Sequence, residues 1–396
     1  MSTRRLPLDG VVVVDFTQVY AGPSCTQMLG DFGADVIKIE RPGTGDLSRT
    51  SFPDEAGLDN PVFWSINRNK RSVSIDTRTE EGKRAVLDLI ARADVVTSNF
   101  RAGVMDRIGF GYEALRAVNP RVIWASATGF GEKGPYAHKG GQDILTQAYT
   151  GVMWRRASDD TPVSIYPTSL CDYTTGMHMV QGILLALLHR EHTGEGQKVE
   201  IAMYDSILHM QMQEAATRMN RNAEINWAAM PLTGAYQTTD GAVVMVGAFK
   251  QNPLRDICAA LELGEDLSLR PEYATAEGQQ QHRPELRRLF AERFATGSTA
   301  HWMKRLEAQD LLCAPVRTME EALRDEQTIV NGMIVEMEHP TEGSVRVLGN
   351  PVHLSATPAE VRRVPPGLGV HGDEVLGEAG YDAARLRALR EAGVLR

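Results

Sequence analysis

Asp172 stands behind Thr168, Ser169, Leu170 and Cys171 and in front of a long apolar stretch. An acid at such a place either caps or compensates the start of a helix, or acts as a nucleophile beside N–H donors that steady charge developing on an attacked carbonyl. Local chemistry alone puts the helix-start role first. Lys38, Arg41 and Arg49 lie near the carboxyl end of an early strand, the edge where open α/β sheets bind ligands, and form a candidate phosphate seat on an acidic chain. The run NRNKRS, with Arg68, Lys70 and Arg71, reads as a solvated face.

Gly129, Gly131 and Gly134 in GFGEKG satisfy G-x-G-x-x-G after a predicted strand. A dinucleotide loop must open directly into a helix, whereas Pro135, Tyr136 and the pair Gly140-Gly141 follow here, so the segment reads as a flexible or ligand-covering loop. His189 and His192 share one helix end without a third ligand nearby, so no metal site is expected. The sequence contains neither a G-x-S-x-G elbow nor a P-loop.

The elements that must position these residues alternate. VVVVDF (11–16), ADVIKIE (34–40), RSVSID (71–76), ADVVTSNF (93–100) and RVIWASATGF (121–130) read as short buried strands, and TEEGKRAVLDLIARA as an amphipathic helix with Thr79 at its N-cap. Such alternation predicts an α/β fold with a parallel sheet covered on both faces. A long helix from about Asp172 to His192, the strand QKVEIAM and a helix through Met210 follow. From about Asn220 to Ala314 the hairpin pattern GAYQTTDGAVVMVG and separate helices predict a smaller α+β unit; strand-like GMIVEM and SVRVLG and a charged helix close the chain.

The chain has 396 residues, 42% of them hydrophobic and 23% charged, with a formal net charge of −9. This composition supports a real core and argues against nucleic-acid and anionic-membrane partners. Cys25, Cys171, Cys258 and Cys313 form no CxxC pair, and MSTRRLPLDG lacks an apolar leader core, so free thiols and a cytoplasmic location are expected. The apolar stretch Met177 to Leu188 is interrupted by His178, Gln181 and Gly182 and is too short to span a bilayer; it reads as a buried helix.

The sequence resembles the class III CoA-transferases, the CaiB/BaiF or formyl-CoA transferase family. The resemblance rests on DFTQVYAGPSCTQMLGDFGADVIKIERPGTGD (15–46), NKRSVSID (69–76), ADVVTSNFRAGVMDRIGF (93–110), TGFGEKGPY (128–136), SLCDYTTGMH (169–178), ALLHREHTGEGQKVEIAM (186–203) and CAPVRTMEEAL (313–323). It implies a Rossmann-like large domain from residues 1–205 and 321–396, a linker helix region at 206–225, a small domain at 226–320 and an interlocked homodimer. It places the catalytic aspartate on Asp172 and a supporting acid on Asp143. The implied CoA pocket is Tyr20, Ala21, Arg41, Ile75, Asp76, Thr77, Arg78, Asn99, Phe100, Arg101, Arg107 and Lys139.

The implied chemistry uses an acyl-CoA and a small carboxylic acid as substrates, with no tightly bound cofactor and no metal. A carboxylate suits this role because it can attack an acyl-CoA, form a mixed anhydride and then carry CoA as an enzyme thioester. Tyr20 stands where formyl-CoA transferase has a glutamine near the acyl group, and VGAFKQN (246–252) replaces its run of glycines. A small dicarboxylate such as succinate or malate, or an acetyl donor, suits the altered pocket as well as formyl-CoA and oxalate. Two alternatives share the fold: an α-methylacyl-CoA racemase, whose histidine base would fall on Gln142 within Gly141-Gln142-Asp143, and a non-catalytic CoA-binding protein.

Overall fold

The computed structural model describes residues 5–51 and 60–396; Met1 to Arg4, part of the stretch read as lacking a leader core, lie outside them. The described residues form two compact units, one from Met1–Val152, Ile165–Met212 and Val330–Arg396, the other from Met153–Ser164 and Gln213–Ile329.

The first unit is built on β1 (Val12–Asp15), β2 (Asp35–Glu40), β3 (Lys70–Ser74), β4 (Val95–Ser98), β5 (Ile123–Thr128) and β6 (Lys198–Ala202). All pair in parallel, in the order β3-β2-β1-β4-β5-β6. Its helices include α1 (Ala21–Asp31), α2 (Pro61–Asn67), α3 (Glu80–Ile90), α4 (Val104–Arg107), α5 (Tyr112–Val118), α6 (Asp143–Tyr149), α7 (Leu170–Thr193) and α8 (Met203–Met210). The near-continuous hydrophobic strands follow from burial on both faces. Val14, Ile37, Val73, Val96 and Trp124 pack with α3 and α5 on one side, while Val13, Val36, Val95 and Ile123 pack with Cys25, Leu29, Met179 and Ile183 of α1 and α7 on the other. The alternation of Val13 and Val14 is the two-residue period of a strand.

The strand order reverses direction between β1 and β4, which opens a crevice beyond their carboxyl ends. Thr79 caps α3 as its position implies, accepting from the N–H of Gly82 at 3.0 Å. Gly194 ends α7 at φ +77°, a conformation that favours glycine. Beyond β3, Ile75 bridges Leu395, the N–H of Asp76 donates to the Val394 carbonyl at 2.8 Å, and the N–H of Arg396 donates to the Ser74 carbonyl at 3.0 Å. Segment 394–396 thus extends the sheet edge leading into residues 75–78.

In the second unit, β7 (Thr233–Gln237), β8 (Ala242–Val246) and β9 (Leu312–Pro315) form an antiparallel sheet. It packs on helices Pro253–Ala260, Arg283–Phe294 and Thr299–Ala308 around Tyr236, Phe290, Phe294 and Trp302. The antiparallel pair β10 (Ile334–His339) and β11 (Gly343–Leu348) returns to the first unit.

Two expectations about burial are overturned. The run around Arg68 is not a solvated face: Arg68 pairs with Asp31 at 2.6 Å, Lys70 with Asp15 at 3.4 Å, and Arg71 with Asp35, Glu374 and Glu378, with all three basic side chains buried. Conversely, α7 is not buried all round. Met179 and Ile183 face the sheet, while Leu184, Leu185 and Leu188 face outward, Leu185 being 67% exposed. Among the described residues no helix is long and apolar enough to cross a membrane.

Candidate active site

A cavity of about 690 Å³ occupies the crevice. Its walls come from the carboxyl ends of successive strands and the segments after them: Gln18 to Ala21 after β1, Arg41 and Leu47 after β2, Ile75, Thr77 and Arg78 after β3, Asn99 to Arg101 after β4, and Thr128 at the end of β5 with Gly129, Gly141 and Gln142 beyond it. Asp172 and Thr175 of α7 and Met203 of α8 also line it, with Phe16, Ile39, Val104, Ile108 and Ala127 as further apolar wall. Ten residues named from the sequence therefore meet: Tyr20, Ala21, Arg41, Ile75, Thr77, Arg78, Asn99, Phe100, Arg101 and Asp172.

Four others lie off this lining. Asp76 is bound up with Arg78, accepting from Nε at 2.8 Å and Nη2 at 2.7 Å, and these bonds hold its carboxyl down at about 2. Arg107 is exposed on α4. Lys139 donates to the Tyr149 hydroxyl at 2.6 Å and sits over the Tyr136 and Tyr149 rings. Asp143, the first residue of α6, is buried and reaches Asp172 through the backbone.

That contact corrects the reading of the helix start. Ser169, the N-cap of α7, makes no side-chain capping bond; instead Asp143 Oδ2 accepts from the N–H of Cys171 at 2.7 Å and of Asp172 at 3.0 Å. These donors are occupied and are not free to steady an attacked carbonyl. Asp143 Oδ1 in turn accepts from Gln147 Nε2 at 2.6 Å. Gln147 is fully buried and also pairs with the Tyr166 backbone, donating to its carbonyl at 3.2 Å and accepting from its N–H at 3.0 Å.

Burial, and then the charge of Asp143, push the Asp172 carboxyl up to about 6. At neutral pH roughly nine in ten Asp172 side chains are still ionised, yet the anion is more basic than an ordinary aspartate. Burial, followed by Tyr173 and Asp172, likewise raises the Tyr20 hydroxyl. Helix α7 approaches α1 closely one turn beyond Asp172, where a Cβ on Gly176 would lie 2.6 Å from the Ala21 carbonyl oxygen. Glycine there lets Tyr20 and Asp172 face the same space.

The proposed phosphate seat divides. Arg41 lines the cavity, but Lys38 pairs with Asp46 at 2.7 Å and Arg49 with Glu40 at 2.8 Å, both fully buried. Buried charge must be paired, and these two cations are committed to the turn below the cavity rather than to a ligand. At the opposite wall, Gly129 and Gly141 meet back to back: a Cβ on either would lie 2.3 Å from the other's Cα. The G-x-G-x-x-G match thus has one glycine in a close backbone contact, while Gly131 and Gly134 take positive φ. Among the described residues no three His, Cys, Asp or Glu side chains gather to hold a metal ion.

Sequence reasoning missed Gln18, Val19, Leu47, Thr128, Thr175 and Met203 as cavity residues. Thr175 had a usable signal, since it lies three residues from Asp172 on the same helix face. Val19 and Leu47 had none.

Comparison with known proteins decides the family. Residues 8–372 match CoA-transferase family III. The chain belongs to that family. A formyl-CoA:oxalate CoA-transferase of Streptomyces coelicolor is 34% identical over 98% of this chain and 99% of its own length. An acyl-CoA transferase of Fusarium pseudograminearum is 33% identical over 100% and 89%. A CaiB/BaiF family protein of Brucella suis superposes with a TM-score of 0.84 at 30% identity, covering 95% of this chain and 100% of that one. The chain is therefore a CoA-transferase of family III, whose members act on CoA thioesters, and its six-stranded parallel α/β sheet carries the crevice in which Asp172 lies.

Proposed function

We propose that this CoA-transferase moves CoA from an acyl-CoA donor to a small carboxylic acid through Asp172. The observation that carries the reading is the position of Asp172: partly buried in the cavity, at a helix start already capped by Asp143, and raised in basicity while still mainly ionised. The Asp172 carboxylate attacks the thioester carbonyl and expels CoA thiolate, giving a mixed anhydride. The thiolate attacks the aspartyl carbonyl and releases the donor acid, leaving an aspartyl-CoA thioester. The acceptor carboxylate attacks this thioester and again expels the thiolate. The thiolate then takes the acceptor acyl group from the second anhydride, and Asp172 returns as a carboxylate.

Arg41, Arg78 and Arg101 on the cavity wall suit the phosphates of CoA, and Thr77 and Asn99 its polar edges. Asp76, Arg107 and Lys139 belong to this reading as residues beside the mouth, and Asp143 and Tyr20 as supports of the acyl site. With Tyr20 in the glutamine position of formyl-CoA transferase, a small dicarboxylate such as succinate or malate, or an acetyl donor, suits the pocket as well as formyl-CoA and oxalate. The outward Leu184, Leu185 and Leu188 of α7 suit a homodimer contact, in keeping with an interlocked dimer. Four free cysteines suit a reducing cytoplasm.

The racemase reading is disfavoured at Gln142, whose side-chain oxygen accepts from the N–H of Ile144 at 3.1 Å as the cap of α6. An amide so placed is no base. A silent CoA-binding protein would not need a basic carboxylate in the cavity. The test is incubation of purified protein with succinyl-, acetyl- or formyl-CoA and a panel of acids, scored for new CoA esters by mass spectrometry, with hydroxylamine trapping of an Asp172 peptide. Full transfer by Asp172→Ala overturns the mechanism; α-proton exchange without transfer selects the racemase.

A further inference from the structure

Val19, a β-branched residue on the cavity wall, has φ +67°. Left-handed backbone is costly for such a side chain and persists only where surrounding groups impose it. Here they do so residue by residue. Lys38 Nζ donates to the Thr17 carbonyl at 2.7 Å. The Asn99 amide takes both ends of Gln18, accepting from its N–H at 2.8 Å and donating to its carbonyl at 2.7 Å. Asp46 Oδ1 accepts from the N–H of Val19 itself at 3.0 Å, while Oδ2 pairs with Lys38 at 2.7 Å. The next residue is Tyr20, which shares the cavity with Asp172.

We infer that Asp46 is a positioning residue for the transfer reaction: through the N–H of Val19 it holds the left-handed turn that sets Tyr20 against Asp172. Asp46 is fully buried and does not itself line the cavity, so it acts through Val19 rather than on a substrate. Its second oxygen is committed to a buried ammonium, and its first also accepts from the N–H and the hydroxyl of Ser48 at 2.8 Å each, which together fix the carboxylate's rotation and so its direction toward Val19. Simple stability does not call for a strained valine at this place, since glycine would take the same φ without strain. The arrangement makes sense if the direction of the Tyr20 side chain matters. The catalytic part of the inference rests on Asp172 being the nucleophile; the placement of Tyr20 does not.

The test compares Asp46→Asn/Lys38→Met, which keeps an acceptor for Val19, with Asp46→Leu/Lys38→Met, which removes it; neither leaves an unpaired lysine. Ring resonances of ¹³C-labelled tyrosine, with Tyr20 assigned through Tyr20→Phe, are followed as Asp172 titrates near about 6. The Asn variant is expected to retain the Tyr20 response of Lys38→Met alone and a kcat within about three-fold of that single variant. The Leu variant is expected to lose the response and to drop in kcat by roughly 10- to 100-fold, with KM for the acyl-CoA changed by less than about three-fold. Should it not fold, Asp46→Ala/Lys38→Met serves by the same readout, since it also removes the acceptor for the Val19 N–H. An undiminished Tyr20 response in the folded Leu variant, or in the Ala variant where that is the readout, overturns the inference. If the parent protein shows the Tyr20 response and its dependence on Asp46 but no acyl-CoA transfer, the functional reading falls and the positioning of Tyr20 stands.

Discussion

The carboxylate of Asp143 accepts from the backbone N–H of Asp172 at 3.0 Å, so one acid caps the helix turn that carries the other. Asp143→Asn keeps an acceptor but removes the neighbouring charge. The rising limb of the pH–rate profile is then expected to move below its midpoint near 6, because that charge helps raise Asp172. Asp143→Ala instead strands two N–H groups at a buried helix start, an expected loss of about 1–3 kcal/mol by denaturant unfolding.

Asp172 itself separates stability from activity. Its folded pKa lies above the unfolded value near 3.8, so burial of the charged form opposes folding. That penalty is absent below about pH 4, grows as pH rises and is complete above about pH 6. Asp172→Asn is expected to gain on the order of 2 kcal/mol of unfolding free energy at about pH 8, gain little at about pH 4, and lose transfer at both. Equal gains at the two pH values would show that the charge is not the cause.

The glycine pair at the cavity wall has no room for a side chain. Gly141→Ala places a Cβ 2.3 Å from the Gly129 Cα, and backbone cannot swing aside as a side-chain tip can. A loss of about 1–3 kcal/mol is expected, with a higher KM for acyl-CoA as the wall shifts. Thermal melts and steady-state kinetics measure the two effects.

Two neighbouring arginines are expected to behave oppositely. Arg41→Ala, on the cavity wall, raises KM for acyl-CoA by roughly ten-fold and leaves Tm almost unchanged. Arg49→Ala breaks the buried pair with Glu40 and costs about 3–5 kcal/mol. A folded, stable Arg49→Ala enzyme with only a weakened KM would restore Arg49 to the phosphate seat.

The sheet strands, the capped helix α3, the long helix after Asp172 and the β7–β8 hairpin were legible because each is written in local periodicity. The fate of the charges was not. Arg68, Lys70 and Arg71 are adjacent in the chain, but their partners Asp31, Asp15 and Glu374 lie 37, 55 and 303 positions away. Linear order shows a basic run, and only the assembled sheet shows that it is neutralised. The cap on Asp172 is likewise 29 residues distant, and a left-handed valine contradicts the backbone preference of its residue type. Asp172 emerged through the motif around it, since its own neighbours describe an ordinary helix start.

The edge pairing of segment 394–396 with residues 74–76 bears on biosynthesis. During translation the segments around Tyr20, Asn99 and Asp172 can come together long before the ribosome reaches codon 394. The wall bearing Ile75, Thr77 and Arg78 stays unsupported along one edge until residues 394–396 have cleared the exit tunnel. A nascent chain paused before that point therefore carries Asp172 in an unfinished pocket, and its wall closes only once residues 394–396 can pair with residues 74–76.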